Sequence, residues 1–159
     1  MTNLLHGLTI KMVQDTLRAI RFSNPIPETA LQQLKVVERL LPPKAPSHMK
    51  DFLLTEWISQ QITTKYDQHR KLYKLQRVDP TSNYLQVLAC LSQDFKQRHE
   101  HLEAWSILYY RHVRVDVTIP NEDLEGITSQ SERNIRRRQQ HGYVLLYNHI
   151  TSLELSHLK

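Results

Sequence analysis

Residues 121–142, NEDLEGITSQSERNIRRRQQHG, form the stretch that decides the predicted fold of this chain. They predict two helices joined by a tight turn, and the second helix carries four arginines. Ser131 stands at the expected N-cap position, and the carboxylate of Glu132 suits the positive end of the helix dipole that follows. Two helices joined in this way are typical of a helix-turn-helix.

The glycine content of the chain favours the same fold class. Only three glycines and seven prolines occur among 159 residues, whereas barrels and sandwiches need frequent turns with positive φ. We therefore expect an all-α, multi-helix protein with a C-terminal helix-turn-helix. Residues 1–78 are expected to form an N-terminal helical region. Residues 79–159 are expected to form the helix-turn-helix region with a long C-terminal helix, and one core shared by both regions is the alternative.

Hydrophobic periodicity places the other helices. It predicts a helix over about 9–22, a break at Asn24–Pro27 and a second helix from there to about Leu41. Further helices are predicted over 48–77, 82–97 and 100–112, with a loop over 114–120. The predicted inward residues of the third helix are Phe52, Leu53, Trp57, Ile62, Tyr66 and Leu72. Those of the fourth are Tyr84, Leu85, Leu88, Leu91 and Phe95.

The last helix, predicted from Ser131 to near His157, has two distinct faces. Turning about 100° per residue from Ile135 defines its inward side. The residues on that side are Gln139, Gly142, Leu146, His149, Ile150 and Leu153. The residues pointing away from it are Arg133, Arg136, Arg137 and Gln140. Asn134 lies on one flank, and Arg138 lies at the edge of the inward side.

The exposed face predicts a recognition helix from Ser131 to about Gln140, with double-stranded DNA as the partner. Arginine bonds guanine bidentately in the major groove, and asparagine bonds adenine. The predicted base contacts are Arg133, Asn134 and Arg137. The predicted phosphate contacts, which set register without reading sequence, are Arg136, Arg138 and Gln140.

Positive charge is concentrated in two segments. Residues 131–142 carry a net charge of +3 and residues 65–77 carry +4, although the whole chain carries only +5. Such patches focus a field on a polyanion. Tyr66 and Tyr73 lie among the cations of the second segment, where they either stack on nucleic acid or pack inward at the end of a solvated helix.

Residues 100–153 resemble the helix-turn-helix of sigma-factor region 4. They also resemble the N-terminal helix-turn-helix regions of bacterial signalling NTPases of the STAND class. Four segments carry the resemblance: Leu102–Trp105 with Tyr109–Arg111, Asp123–Leu124 with Ile127, Ser131–Arg138, and Gly142 with Leu145–Leu146. The resemblance implies a bacterial regulatory module that binds DNA.

The chain departs from that pattern within the first helix of the motif and at its turn. Glu125 occupies a position that is usually small and apolar, and Gly126 weakens a short helix. Thr128 and Ser129 replace a common Leu-Gly pair. No GxxxxGK[ST] loop occurs in the sequence, so these residues contain no nucleotide-binding site of that kind.

The remaining patterns point away from catalysis and membranes. His99-Glu100-His101 lacks the i, i+4 spacing of paired metal ligands, and no nucleophile elbow or catalytic carboxylate pair is evident. We expect no enzymatic activity, metal or cofactor. We expect a cytoplasmic protein without a membrane partner, because the chain has a single cysteine, Cys90, no long apolar run and no basic leader.

The alternative function is a helical protein-interaction module of a bacterial signalling or defence system. Its partner would be another protein or a second copy of the chain, bound through the C-terminal helix.

Overall fold

The computed structural model of the chain describes residues 7–158 and is all-α, as the sequence predicts. Over these residues there are seven α-helices and no strand. They are α1 Ile10–Arg21, α2 Lys35–Glu38, α3 Ser47–Leu72, α4 Tyr84–Lys96, α5 Glu100–Leu108, α6 Asn121–Thr128 and α7 Glu132–Leu158. A 3-10 turn spans Ala30–Gln33, and a π-helical turn, Tyr109–Val113, extends α5. In the described part of the chain, no helix combines the length and apolarity that crossing a bilayer requires.

Contacts within the chain divide it into two compact units. One contains Met1–Gln60 and Tyr143–Lys159, and the other contains Gln61–Gly142. Helices α3 and α7 each contribute residues to both units. This grouping by contacts is distinct from the predicted division near residue 79, which stays a prediction.

The first unit contains the main departure from the predicted helix pattern. The continuous helix expected to reach Leu41 is wrong, because Leu34 is extended, with ψ 140°, and separates the 3-10 turn from α2. The carboxylate of Glu154 accepts hydrogen bonds from the backbone N–H groups of Lys35 (2.9 Å) and Val36 (3.0 Å). A buried carboxylate distant in sequence therefore caps the new helix start.

Helix α3 is shorter than predicted, and the burial of Ile62 and Tyr66 confirms only part of its predicted inward face. Its buried stripe has i, i+4 spacing and consists of Leu54, Ile58, Ile62, Tyr66 and Arg70. Phe52 and Leu72 were predicted to point inward, but they are 61% and 73% exposed. Each lies two positions from a member of the stripe, which is about 200° around the helix and therefore on its far side.

Helix α4 also buries only part of its predicted inward face, at Leu91 and Phe95. Its buried residues are Val87, Leu91, Asp94 and Phe95. Leu85 was expected inward but is 75% exposed. The helix begins after Asn83, whose side chain accepts from the Gln86 N–H at 2.9 Å in a capping box. Asp94 lies seven positions after Val87 and three after Leu91, so a charged residue belongs to the buried stripe of α4.

The two helices predicted in the opening stretch are present as α6 and α7. Helix α6 ends at Ser129, which adopts the left-handed conformation with φ 57°. The Ser131 hydroxyl accepts from the Asn134 N–H at 3.2 Å, which confirms the predicted N-cap of α7. The predicted inward side of α7 is confirmed at its buried positions, Ile135, Gly142, Leu146 and Ile150.

Candidate nucleic-acid interface

The N-terminal half of α7 presents a cationic face to solvent. Arg133, Arg136, Arg137 and Gln140 are all exposed, as the helical periodicity predicts. Arg133 and Arg137 are four residues apart and therefore lie on the same face of the helix. Neither has an ion-pair partner anywhere in residues 7–158. Both guanidinium groups are therefore available to an anionic ligand.

Within the part of the chain that the structure describes, Arg136 makes only one weak, exposed ion pair. Its guanidinium donates to the Glu132 carboxylate at 2.9 Å, one helical turn earlier, and both side chains are exposed. Exposed i, i+4 pairs of this kind contribute only about 0.3–0.5 kcal/mol. A phosphate of comparable charge would therefore compete readily with Glu132 for Arg136.

Arg138 lies in a different environment from the other three arginines. It donates to the carboxylate of Glu103 on α5 at 2.7 Å, and Glu103 is almost completely buried. Since a buried carboxylate needs a partner, this pair fixes α7 to α5. The predicted phosphate contact of Arg138 would have to break or share that pair.

Asn134 is half-buried beside the turn. Its side-chain amide donates to the side-chain oxygen of Gln130 at 3.2 Å. Because this bond lies at the start of α7, a base contact by Asn134 would require the side chain to exchange one partner for another. The structure thus brings Arg133, Arg136 and Arg137 together on an open face and holds Asn134 and Arg138 in internal contacts.

Two contacts join α6 to α4 and to the start of α7. The Tyr84 hydroxyl of α4 donates to Asp123 of α6. The Glu125 carboxylate accepts from the Glu132 N–H at 2.8 Å. Glu125, which departs from the family pattern, therefore caps the helix that carries the arginines.

A polar cleft of about 600 Å³ lies beside the turn between α6 and α7. Lys96 and Arg98, at the end of α4, line it together with Ser129 and Gln130 of the turn. Both cations are exposed, and they were not among the predicted binding residues. The sequence contains no signal for them, because only the packing of α4 against α6 brings them to the turn.

The second basic segment, residues 65–77, is not a continuous cationic surface. Arg70 and Tyr66 are buried, so the alternative in which Tyr66 stacks on nucleic acid is wrong. Tyr73 is half-buried, with its ring centroid 5.5 Å from that of His99. The exposed cations that remain in this segment are Lys71, Lys74 and Arg77.

Arg70 belongs to a buried polar network that joins α3, α4 and α5. Its guanidinium pairs with Asp94, and the same carboxylate accepts from the Tyr66 hydroxyl and from the Ser106 hydroxyl at 2.7 Å. Arg70 also donates to the Gln76 carbonyl at 2.7 Å. Burial raises the pKa of Asp94 to about 6, against the opposing effects of Arg70 and the two hydroxyls. The carboxylate is therefore mostly ionised at pH 7 and pairs with Arg70.

Across residues 7–158, no group of three or more His, Cys, Asp or Glu side chains is arranged to hold a metal ion.

Comparison of the chain with protein-family models, curated proteins and solved structures finds no match. The resemblance to sigma-factor region 4 and to STAND-associated domains consequently rests on the sequence pattern alone.

Proposed function

We propose that the chain is a non-enzymatic DNA-binding regulatory module that presents the N-terminal half of α7 to the major groove. The observation that carries the proposal is the open face of Arg133, Arg136 and Arg137 on a capped helix after a tight turn. Duplex DNA carries one negative charge per about 1.7 Å of helix axis, so three adjacent cations meet a matching charge density.

The contacts made by each arginine suggest a division of roles. Arg133 and Arg137, which have no competing partner in the described chain, are the proposed base readers, with Asn134 beside them. Arg136 and Gln140 are the proposed phosphate contacts, because phosphates tolerate a flexible, weakly paired side chain. Arg138 is a proposed phosphate contact only where its guanidinium binds a phosphate and Glu103 together.

The proposal is tested by titrating the protein into a fluorescent pool of random duplexes at about 50 and about 200 mM salt. Affinity should fall with salt, with a log–log slope of about −0.9 for each phosphate contact. The double variant R133A/R137A should lose about 1–3 kcal/mol of binding per base contact in any duplex selected from the pool. The charge-matched control is R18A/K44A, which removes two exposed cations of the first unit and should bind as the wild type does. Equal affinity of R133A/R137A and wild type would overturn the proposal, as would the absence of duplex binding at the lower salt concentration.

A protein-interaction module is the second candidate, and exposed apolar side chains of the first unit favour it. Met49 and Phe52 are 46% and 61% exposed and lie three positions apart on α3. Leu155, near the end of α7, is also largely exposed. Large apolar groups on one helix face are typical of interfaces. Partner or self-association that survives raised salt and is lost in F52D, without any preference for duplex DNA, would favour this candidate.

A further inference from the structure

Four imidazole rings meet in the second unit, where α5 packs between the end of α3 and the middle of α7. They belong to His69 of α3, His99 at the N-cap of α5, His101 of α5 and His141 of α7. We propose that this histidine cluster is a proton-sensitive contact, which loosens the first turn of α5 from its neighbours in mildly acidic solution. The inference is independent of the proposed DNA binding.

His101 is the centre of the histidine cluster. Its ring centroid lies 5.2 Å from that of His141, in a stacked arrangement with 30° between the planes. The rings of His99 and His69 lie 5.3 Å and 6.1 Å from it. His69 and His141 are half-buried, whereas His99 and His101 are exposed, so a charge on His101 acts most strongly on the two shielded rings. A second proton in the cluster therefore meets a like charge wherever it binds.

Two of the rings are poorly placed to accept a proton. The Nε2 atom of His141 is buried and has no hydrogen-bond partner among the described residues. His69 is half-buried, and its Nδ1 donates to the Lys65 carbonyl at 2.9 Å. Burial is the main cause that lowers the pKa of both histidines, and the nearby His101 lowers each further. In the folded state both rings consequently favour the neutral form.

His99 links protonation directly to helix structure. Its Nδ1 accepts a hydrogen bond from the His101 backbone N–H at 3.3 Å and so caps α5. Only an unprotonated ring nitrogen can accept this bond. A protonated His99 would lose the cap and would also place a positive charge at the positive end of the helix dipole.

The charged groups around the histidine cluster do not neutralise added protons. Lys65 of α3 and Arg138 of α7 both oppose protonation of the neighbouring rings. Glu100 of α5 acts in the other direction, because it raises the pKa of His141, but by less than burial lowers it. Glu103, the other nearby carboxylate, is already paired with Arg138.

The direction of the pH effect follows from these shifts. A histidine whose folded-state pKa is lowered contributes stability above its unfolded pKa, and that contribution is lost as the pH falls through the lower folded value. Asp94, in the same unit, has a raised pKa of about 6, so its own contribution increases on acidification. Acid loosening of α5 is thus assigned to the imidazoles and not to Asp94.

Amide hydrogen exchange of the full chain, read by mass spectrometry at two pH values and corrected for intrinsic rates, tests the proposal. One value lies above and one below the ordinary histidine pKa of about 6.5. At the lower pH, peptides covering the first turn of α5 should lose protection in the wild type, because the pKa values of His69 and His141 are lowered by folding. The variant H101Q, which removes the central ring and its like charge from an exposed position, should lose less protection than the wild type does.

Two further variants complete the experiment. H141F keeps a flat ring against His101 but cannot bind a proton, so it should also resist the loss. H48Q removes an exposed histidine of the first unit and should behave as the wild type does. Protection of α5 that does not change with pH in the wild type would overturn the proposal. The same holds if H101Q and H141F lose as much protection as the wild type.

Discussion

Removing one partner of the buried pair between Arg70 and Asp94 should strongly destabilise the second unit. Both side chains are almost fully buried, and Asp94 also accepts from Tyr66 and Ser106. The variant D94N leaves the Arg70 guanidinium without a counter-charge. The variant R70M leaves the Asp94 carboxylate without one. Breaking a buried pair in this way costs about 3–5 kcal/mol.

The double variant R70M/D94N separates the loss of pairing from the loss of packing. It removes both charges, and its asparagine can still bond to Tyr66 and Ser106. Burial raises the pKa of Asp94, so desolvation already opposes the ionised pair in the wild type. We therefore expect the double variant to be more stable than either single variant, with a coupling of about 2–3 kcal/mol.

The assay is urea unfolding at pH 7, followed by circular dichroism. With a slope of about 2 kcal/mol/M, each single variant should lower the midpoint by about 1.5–2.5 M. The matched control is the exposed pair of Glu132 and Arg136, for which E132Q and R136M should each change stability by less than about 0.5 kcal/mol. Single variants at Arg70 and Asp94 that cost under about 1 kcal/mol, or that combine additively, would refute the reasoning.

The same unfolding assay tests four further substitutions. G126A should stabilise the protein by about 0.5–1 kcal/mol, because an added Cβ at Gly126 meets no atom within 4 Å. G142A should destabilise it despite the gain in helix propensity, since the added Cβ would lie 2.7 Å from Cγ of Leu108. Equal effects of G126A and G142A would contradict this. S129G should stabilise by about 0.5–1 kcal/mol, because Ser129 adopts a left-handed conformation that glycine enters freely; a loss of stability would count against it. E154A should cost about 1–3 kcal/mol, because it leaves the backbone donors of Lys35 and Val36 without their acceptor, and an unchanged midpoint would exclude that capping role.

The features that local sequence determines were predicted correctly. Scarce glycine and the apolar periodicity predicted an all-α chain, and Ser131 marked the start of α7. The exposed arginines of α7 and its buried Leu146 and Ile150 also followed from one inward residue, Ile135, and the turn angle of a helix. The burial of Tyr143, Thr151 and Glu154 on other sides of α7 did not. The correct inferences succeed because capping and periodicity involve residues within a few positions of one another.

The inward faces of α3 and α4 could be predicted only in part. Each buries a charged residue, Arg70 or Asp94, that any hydrophobic pattern assigns to the surface. Once the two are recognised as partners, the i, i+4 stripe of α3 is complete from Leu54 onward. A pairing between positions 24 residues apart has no signature in a single sequence.

Capping by a distant residue produced the other error in the fold. Local pattern favoured a helix through Leu34, whereas the carboxylate of Glu154 captures the N–H groups of Lys35 and Val36 and starts a new helix there. Of the predicted interface, the open face of arginines could be read from periodicity. The contacts of Arg138 and Asn134 with Glu103 and Gln130 required coordinates.

Two residues that depart from the usual helix-turn-helix pattern form the helix ends at the turn between α6 and α7. Glu125, in a position that is usually small and apolar, gives the first N–H of α7 its hydrogen-bond acceptor. Ser129, in place of the common glycine, still adopts the left-handed conformation that ends α6. Both helix ends at the turn are thus formed by other residues, at the modest strain of a non-glycine residue with positive φ. The case for DNA binding therefore depends on what Arg133 and Arg137 contact, and their substitution is the decisive experiment.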